Sequence, residues 1–241
     1  MGLDDVTAAA VAAIVAESDA GGPGLCSGVL VAPRFVLTAA HCAAGAAPSA
    51  LRVSFGSSAA PFAHSDRCGP PARAYAAVAL ERDPDADVML VELASDVSGA
   101  RVVPVASTSP VAGQTAVIAG FGLDGQGAAG ERSFAATTVV GVGAGITDDS
   151  GAEATGASDG CPGDGDAGDG ACAAGPLLVT VNSGAEAGAC AGDSGGPLFV
   201  RAASGWQVAG LLSEGSPYCT GEDVFVDVAS VANWIRARVG S

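Results

Sequence analysis

The chain predicts an all-β protein: two antiparallel β-barrels sharing a cleft, with an α-helix at the C-terminal end. Three observations carry the prediction. A length of 241 residues suits one all-β domain made of two barrels. Short apolar runs alternate with Gly, Pro and Ser punctuation along the chain, which is how strands and turns read in sequence. The last segment changes period. Over 229–239, Val231, Trp234, Ile235 and Val239 recur at helical spacing, and Arg236 and Arg238 stand where cations complement a helix C-terminus.

Strand-like runs fall at 8–16, 25–31, 35–38, 51–55, 73–81 and 87–93 in the first half. Residues 99–115 read as the connection between barrels. The second half offers runs at 115–121, 133–142, 176–181, 197–201, 206–212 and 224–228. A single domain, 1–241, is thus expected to divide into an N-terminal barrel over 1–108 and a C-terminal barrel over 109–241. Helix 229–239 closes it, with Trp234 as a core anchor. Residues 6–16 are apolar but short, with acids before and after, so they read as a first strand and not as a signal peptide.

Composition narrows the function classes. The hydrophobic fraction of 49% is ample for a core, although much of it is Ala and Val. A formal net charge of −16 argues against nucleic acid or an anionic membrane as partner. No stretch approaches the roughly 20 apolar residues of a membrane span. All ten basic residues are arginine; with so much Ala, Gly and Val, this points to a GC-rich bacterial genome.

Residues 190–200 read Cys-Ala-Gly-Asp-Ser-Gly-Gly-Pro-Leu-Phe-Val. Gly192, Gly195 and Gly196 allow positive φ and close approach of a ligand. Ser194 is then presented on a tight turn, with neighbouring N–H groups free to point at a developing negative charge. A Gly-rich turn that merely contains a serine is the bland alternative. A histidine and an aspartate upstream decide against it. Residues 35–42, Phe-Val-Leu-Thr-Ala-Ala-His-Cys, form an apolar strand ending in a small-residue turn that carries His41. Asp87 directly precedes the apolar run Val88-Met89-Leu90-Val91, whereas Asp83 and Asp85 read as exposed loop acids. His64, the other histidine, lies in a polar loop with no partner motif and reads as solvated.

These three motifs, in the order His, Asp, Ser, resemble the trypsin/chymotrypsin family of serine endopeptidases, and the resemblance runs over nearly the whole chain. It implies two packed six-stranded barrels and hydrolysis of protein or peptide substrates by a monomer through an acyl-enzyme. Ser194 would be the nucleophile and His41 the base that takes its proton and returns it to the leaving amine. Asp87 would fix the imidazole tautomer. The N–H groups of Gly192 and Ser194 would form the oxyanion hole. Ser213, in Gly-Leu-Leu-Ser-Glu-Gly, matches the family serine that donates to the buried aspartate.

A catalytically silent or zymogen-like binding protein of the same fold is the alternative. In the family, cleavage frees an Ile-Val-Gly-Gly-type N-terminus whose α-ammonium pairs with the aspartate before the nucleophile, here Asp193. This sequence opens Met1-Gly2-Leu3-Asp4. The expectation is an Asp193 without that partner, a disordered oxyanion turn and low activity, unless another cation substitutes.

The resemblance also frames specificity. Six residues before Ser194, Gly188 falls at the base of the primary pocket, where a trypsin-like enzyme carries an aspartate. Glycine there suggests large apolar side chains. The opposite wall is expected from Ser213, Glu214 and Gly215 and from the strand Val224-Phe225-Val226. Asp223, just before that strand, stands where most relatives have glycine, and a carboxylate entering from that side would replace the missing one. The alternative turns Asp223 out to solvent. Glu214 and the acidic surface tilt the expectation to cleavage after Arg or Lys, with an apolar residue as runner-up.

Seven cysteines in such a chain imply an oxidising compartment, hence a secreted protein, extracellular or periplasmic. The family bridges match Cys26 with Cys42, pinning the His41 turn, and Cys190 with Cys219, tying the Ser194 turn to a pocket wall. A further family bridge is missing on both sides, at Ala116 and Val200. Cys161 and Cys172 bracket an Asp/Gly-rich loop and are expected to pair, leaving Cys68 over, although sequence alone does not fix connectivity. That loop belongs to an insertion at 145–175, dense in acid and poor in apolar residues, which reads as solvated. Asp164, Asp166 and Asp169 offer carboxylates for a Ca²⁺ site, but Gly168 breaks the EF-hand spacing, so no metal or cofactor is expected to be required.

Overall fold

Six strands close on themselves in each half of the chain. The computed structural model describes residues 3–16, 24–59, 73–124, 126–143, 177–181, 188–216 and 218–240. The Cys161–Cys172 pairing, the Ca²⁺ reading of Asp164, Asp166 and Asp169, His64 and Cys68 all lie outside them.

The first barrel comprises β1 (Val11–Ala16), β2 (Gly24–Ala32), β3 (Phe35–Thr38), β4 (Leu51–Phe55), β5 (Arg73–Arg82) and β6 (Met89–Leu93). Its order is β1-β2-β3-β6-β5-β4, and β4 pairs back onto β1. The second comprises β7 (Thr115–Gly120), β8 (Ser133–Gly143), β9 (Leu177–Val181), β10 (Pro197–Ala202), β11 (Gly205–Glu214) and β12 (Glu222–Asp227). Its order is β10-β11-β12-β9-β8-β7, and β7 pairs back onto β10. Every pairing between these twelve strands is antiparallel, and closure leaves neither sheet with an open edge.

The barrels share a core. One cluster runs from Ile14, Leu37 and Leu51 across to Phe121, Phe199 and Val208, while Ala116, Val139, Leu198 and Phe225 fill the second barrel's interior. This explains why β1 does not alternate. Val11 through Ile14 are all fully buried, one face inside its own barrel and the other against the seam. Small Ala and Val side chains at the seam let the sheets approach closely.

Two of the departures from the sequence reading involve helix caps. Residues 8–10 do not extend β1. Asp4 instead accepts the Thr7 N–H at 2.8 Å and caps a helical turn, α1 (Asp5–Ala8). At the other end, α2 (Val228–Val239) starts one residue early, because Asp227 accepts the Ala229 N–H at 2.9 Å and acts as its cap. Arg238 stacks 4.3 Å over Trp234 and pairs with Glu81 at 2.7 Å, which ties α2 to β5 of the first barrel. Among the described residues no helix is long and apolar enough to cross a membrane.

Candidate active site

Antiparallel pairing of β3 with β6 brings the end of one strand to the start of the other, with Thr38 opposite Met89. The turn after β3 and the loop before β6 therefore meet. The first is a 3-10 turn, Ala40–Ala43, whose buried Ala40 and Ala43 permit tight packing; the second carries Asp87. Asp83 shapes that loop by accepting the N–H groups of Asp85 and Ala86.

Asp87 is 2% exposed and grips His41 twice. Its Oδ1 accepts the His41 backbone N–H at 2.9 Å, and its Oδ2 lies 2.7 Å from Nδ1. A carboxylate there accepts a proton-bearing Nδ1, which leaves Nε2 as the basic nitrogen. The same Oδ2 accepts the Ser213 hydroxyl at 2.7 Å. Burial pushes the Asp87 carboxyl up, but the His41 bonds, the imidazole's charge and the Ser213 bond together hold it below its usual 3.8.

Ser194 sits on the turn that leads into β10. Its carbonyl accepts the Ser27 N–H at 2.8 Å and lies 3.5 Å from Cys42 Sγ, next to His41. Two glycines make the turn possible. Gly192 has φ 101° and Gly195 φ 75°, and a Cβ on Gly195 would fall 2.1 Å from Thr38 Oγ1. Among the described residues, neither the Gly192 N–H nor the Ser194 N–H has an acceptor.

Asp193 anchors this turn through backbone donors rather than through a cation. Asp193 Oδ1 accepts from Gly122 N–H at 2.8 Å and Oδ2 from Cys190 N–H at 2.9 Å. Burial raises its pKa, and these two bonds do not fully offset that. Its carboxylate borders a cavity of about 180 Å³ whose lining includes Gly120, Gly188, Ala189 and Phe225.

A second cavity, about 280 Å³, opens beside Ser194 between Leu123, Leu212, Gly215, Ser216 and the Cys190–Cys219 pair. Gly188 lines the first cavity and not this one. It packs against the Cys219 backbone so closely that a Cβ would lie 2.7 Å from the Cys219 carbonyl oxygen. Asp223 stands behind the Gly215–Ser216 wall. It is the second residue of β12, not a residue preceding the strand, and it is 2% exposed, so it does not turn out to solvent. Its oxygens accept from Ala189 N–H at 3.1 Å and Ser216 N–H at 3.4 Å, and burial pushes its pKa up. Glu214, at the end of β11, is exposed.

Two disulfides frame the site, Cys26–Cys42 behind His41 and Cys190–Cys219 across the base of the Ser194 turn. Polar atoms of Cys26, His41 and Cys42 lie within 4.8 Å of one another, but two sulfurs bonded to each other are not thiolate ligands. The grouping does not hold a metal.

A sequence-family model described as Trypsin matches residues 5–235. The chain belongs to the trypsin family. No curated protein sequence matches it. As a trypsin-family chain it carries one residue that no motif singles out, Ser27. Its hydroxyl accepts the Phe121 N–H and donates to the Gly192 carbonyl, both at 2.9 Å.

Proposed function

We propose that this trypsin-family chain is a serine endopeptidase that cleaves proteins or peptides after Arg or Lys. The observation that carries the catalytic reading is the shared Asp87 Oδ2, bonded to His41 and Ser213 beside the Ser194 turn. Ser194 Oγ attacks the scissile carbonyl carbon while His41 Nε2 takes the hydroxyl proton. The carbonyl oxygen, now negative, is received by the Gly192 and Ser194 N–H groups. The C–N bond then breaks, His41 returns the proton to the departing amine, and an ester remains on Ser194. Water, deprotonated by His41, attacks that ester. The acid leaves and Ser194 regains its proton. Asp87 stays ionised throughout and stabilises the imidazolium.

The preference for a cationic residue rests on Asp223, whose buried carboxylate lies behind the pocket wall. A guanidinium or ammonium in the pocket would offset its burial. The two disulfides suit an oxidising, extracytoplasmic setting.

A precursor-like state of low activity is the second reading, and Asp193 favours it: among the described residues no cation pairs with this carboxylate. Fluorophosphonate labelling separates the two. Labelling of the wild-type chain, abolished by Ser194→Ala, supports the endopeptidase. Wild-type protein that folds yet takes up no probe supports the precursor.

A further inference from the structure

Ser27 is fully buried in β2, and each of its polar atoms reaches across a strand or across the seam between the barrels. Its N–H donates to the Ser194 carbonyl at 2.8 Å and its carbonyl accepts Thr38 Oγ1 at 2.7 Å. A hydroxyl has one proton. Here that proton goes to the Gly192 carbonyl, and a lone pair accepts the Phe121 N–H. One side-chain-bearing residue of the first barrel therefore touches the backbone of both residues read as oxyanion donors.

Three consecutive N–H groups form the other half of the clamp. Phe121 donates to Ser27 Oγ, Gly122 to Asp193 Oδ1 and Leu123 to the Ala191 carbonyl. A peptide unit is planar, with its N–H and C=O pointing in opposite directions. Holding the Ala191 carbonyl on Leu123 thus aims the Gly192 N–H the other way. Holding the Gly192 carbonyl on Ser27 fixes the next peptide plane. Gly192 needs both restraints, because at φ 101° it has no side chain to limit its rotation.

We propose that Ser27 is a positioning residue for the oxyanion hole, its hydroxyl holding the Gly192 peptides in the orientation that receives the negative oxygen. The proposal rests on the reading of Ser194 as nucleophile and Gly192 as oxyanion donor. Such a donor is worth most when it is already aimed before charge develops. Losing a donor outright costs about 10²–10³ in rate, and a donor free to tilt costs about 10–100-fold.

The test measures kcat and KM on one peptide anilide, with inhibition by the matching peptide aldehyde and the matching peptide alcohol. The aldehyde forms a tetrahedral adduct bearing the oxyanion; the alcohol does not. Ser27→Ala is expected to lower kcat about 10–100-fold with KM and alcohol inhibition within about twofold, and to weaken the aldehyde by the same factor as kcat/KM. Ser27→Thr, which keeps the hydroxyl, recovers most of the loss. Ser54→Ala, at a buried hydroxyl of β4 with no bonding partner among the described residues, stays within about twofold of wild type. Should Ser27→Ala not fold, Ser27→Gly carries the same measurement. Wild-type kcat and aldehyde affinity in the hydroxyl-free variant overturn the proposal, as does an equal weakening of aldehyde and alcohol. A wild-type chain without turnover or fluorophosphonate labelling instead overturns the catalytic reading beneath it.

Discussion

Ser213 Oγ donates to Asp87 Oδ2 at 2.7 Å, joining β11 of the second barrel to the loop before β6 of the first. A hydrogen bond to a charged group contributes about 1.5–3 kcal/mol, and Ser213→Ala removes one of the three that Asp87 receives. The melting temperature is expected to fall by about 3–10 °C at neutral pH. Turnover falls less than in Asp87→Asn, where the wrong imidazole tautomer costs about 10⁴-fold. Calorimetry and steady-state kinetics on both variants check this.

Asp87 and Asp223 should show opposite pH dependences of stability. The Asp87 carboxyl is held below 3.8, so its contribution is present above that value and is lost as pH falls through the folded-state pKa. Asp223 is raised by burial, so its protonated form suits the fold, and stability falls as pH rises through its folded-state pKa. Asp223→Asn is therefore expected to be more stable than wild type at pH 7, by about 1 kcal/mol or 2–4 °C, a gain that fades as pH is lowered toward 3.8. Asp87→Asn is less stable at pH 7, and its deficit shrinks below 3.8. Melting curves across pH that run parallel for the two variants would contradict the assignment.

How these two acids read in sequence differs, and the reason is locality. The apolar run after Asp87, the small residues before His41 and the glycines around Ser194 are each a short-range signal, and the structure brings all three segments together. The short strand runs and the terminal helix follow from punctuation and period in the same way, whereas their closure into two six-stranded barrels came from the family resemblance those motifs carry. Asp223 was legible as a residue but not as a strand position, because the pairing of β12 with β9 extends the strand two residues upstream of its apolar run. The turn α1 has too few residues to show a period, and only the Asp4 cap marks it. Ser27 leaves no trace in the sequence, since its hydroxyl partners lie 94 and 165 positions away.

Specificity should follow Asp223. Removing one partner of a buried charge pair costs about 3–5 kcal/mol, so Asp223→Asn is expected to lower kcat/KM on Arg and Lys substrates about 10²–10³-fold. Substrates with Leu or Phe at that position should change little. A scan of that position with a peptide library measures both. A wild-type preference for Leu or Phe, unmoved by Asp223→Gly, would eliminate the Asp223 anchor.

The Cys26–Cys42 bridge spans 16 positions. Chain entropy alone assigns about 3 kcal/mol to a loop of that size, so the unfolding free energy of the Cys26→Ala/Cys42→Ala variant, read from urea titration, should be lower by about 3 kcal/mol. It should also lose turnover while still folded, because the bridge backs the His41 turn. Urea titration and kinetics on the same preparation separate the two losses.

Three polar contacts of the site cross the seam: Ser213 to Asp87, Ser27 to Gly192 and Ser27 to Ser194. Neither barrel contains a working half. A sideways slip of about an ångström between them would leave every strand pairing intact and break these contacts together, and misplacement on that scale can cost about 10²-fold in rate. Catalysis then becomes a strain gauge for the joint. Under hydrostatic pressure or dilute denaturant it should fail while circular dichroism still reports two whole barrels, and a crosslink stapling β2 to β7 should postpone that failure without adding a single contact to the substrate.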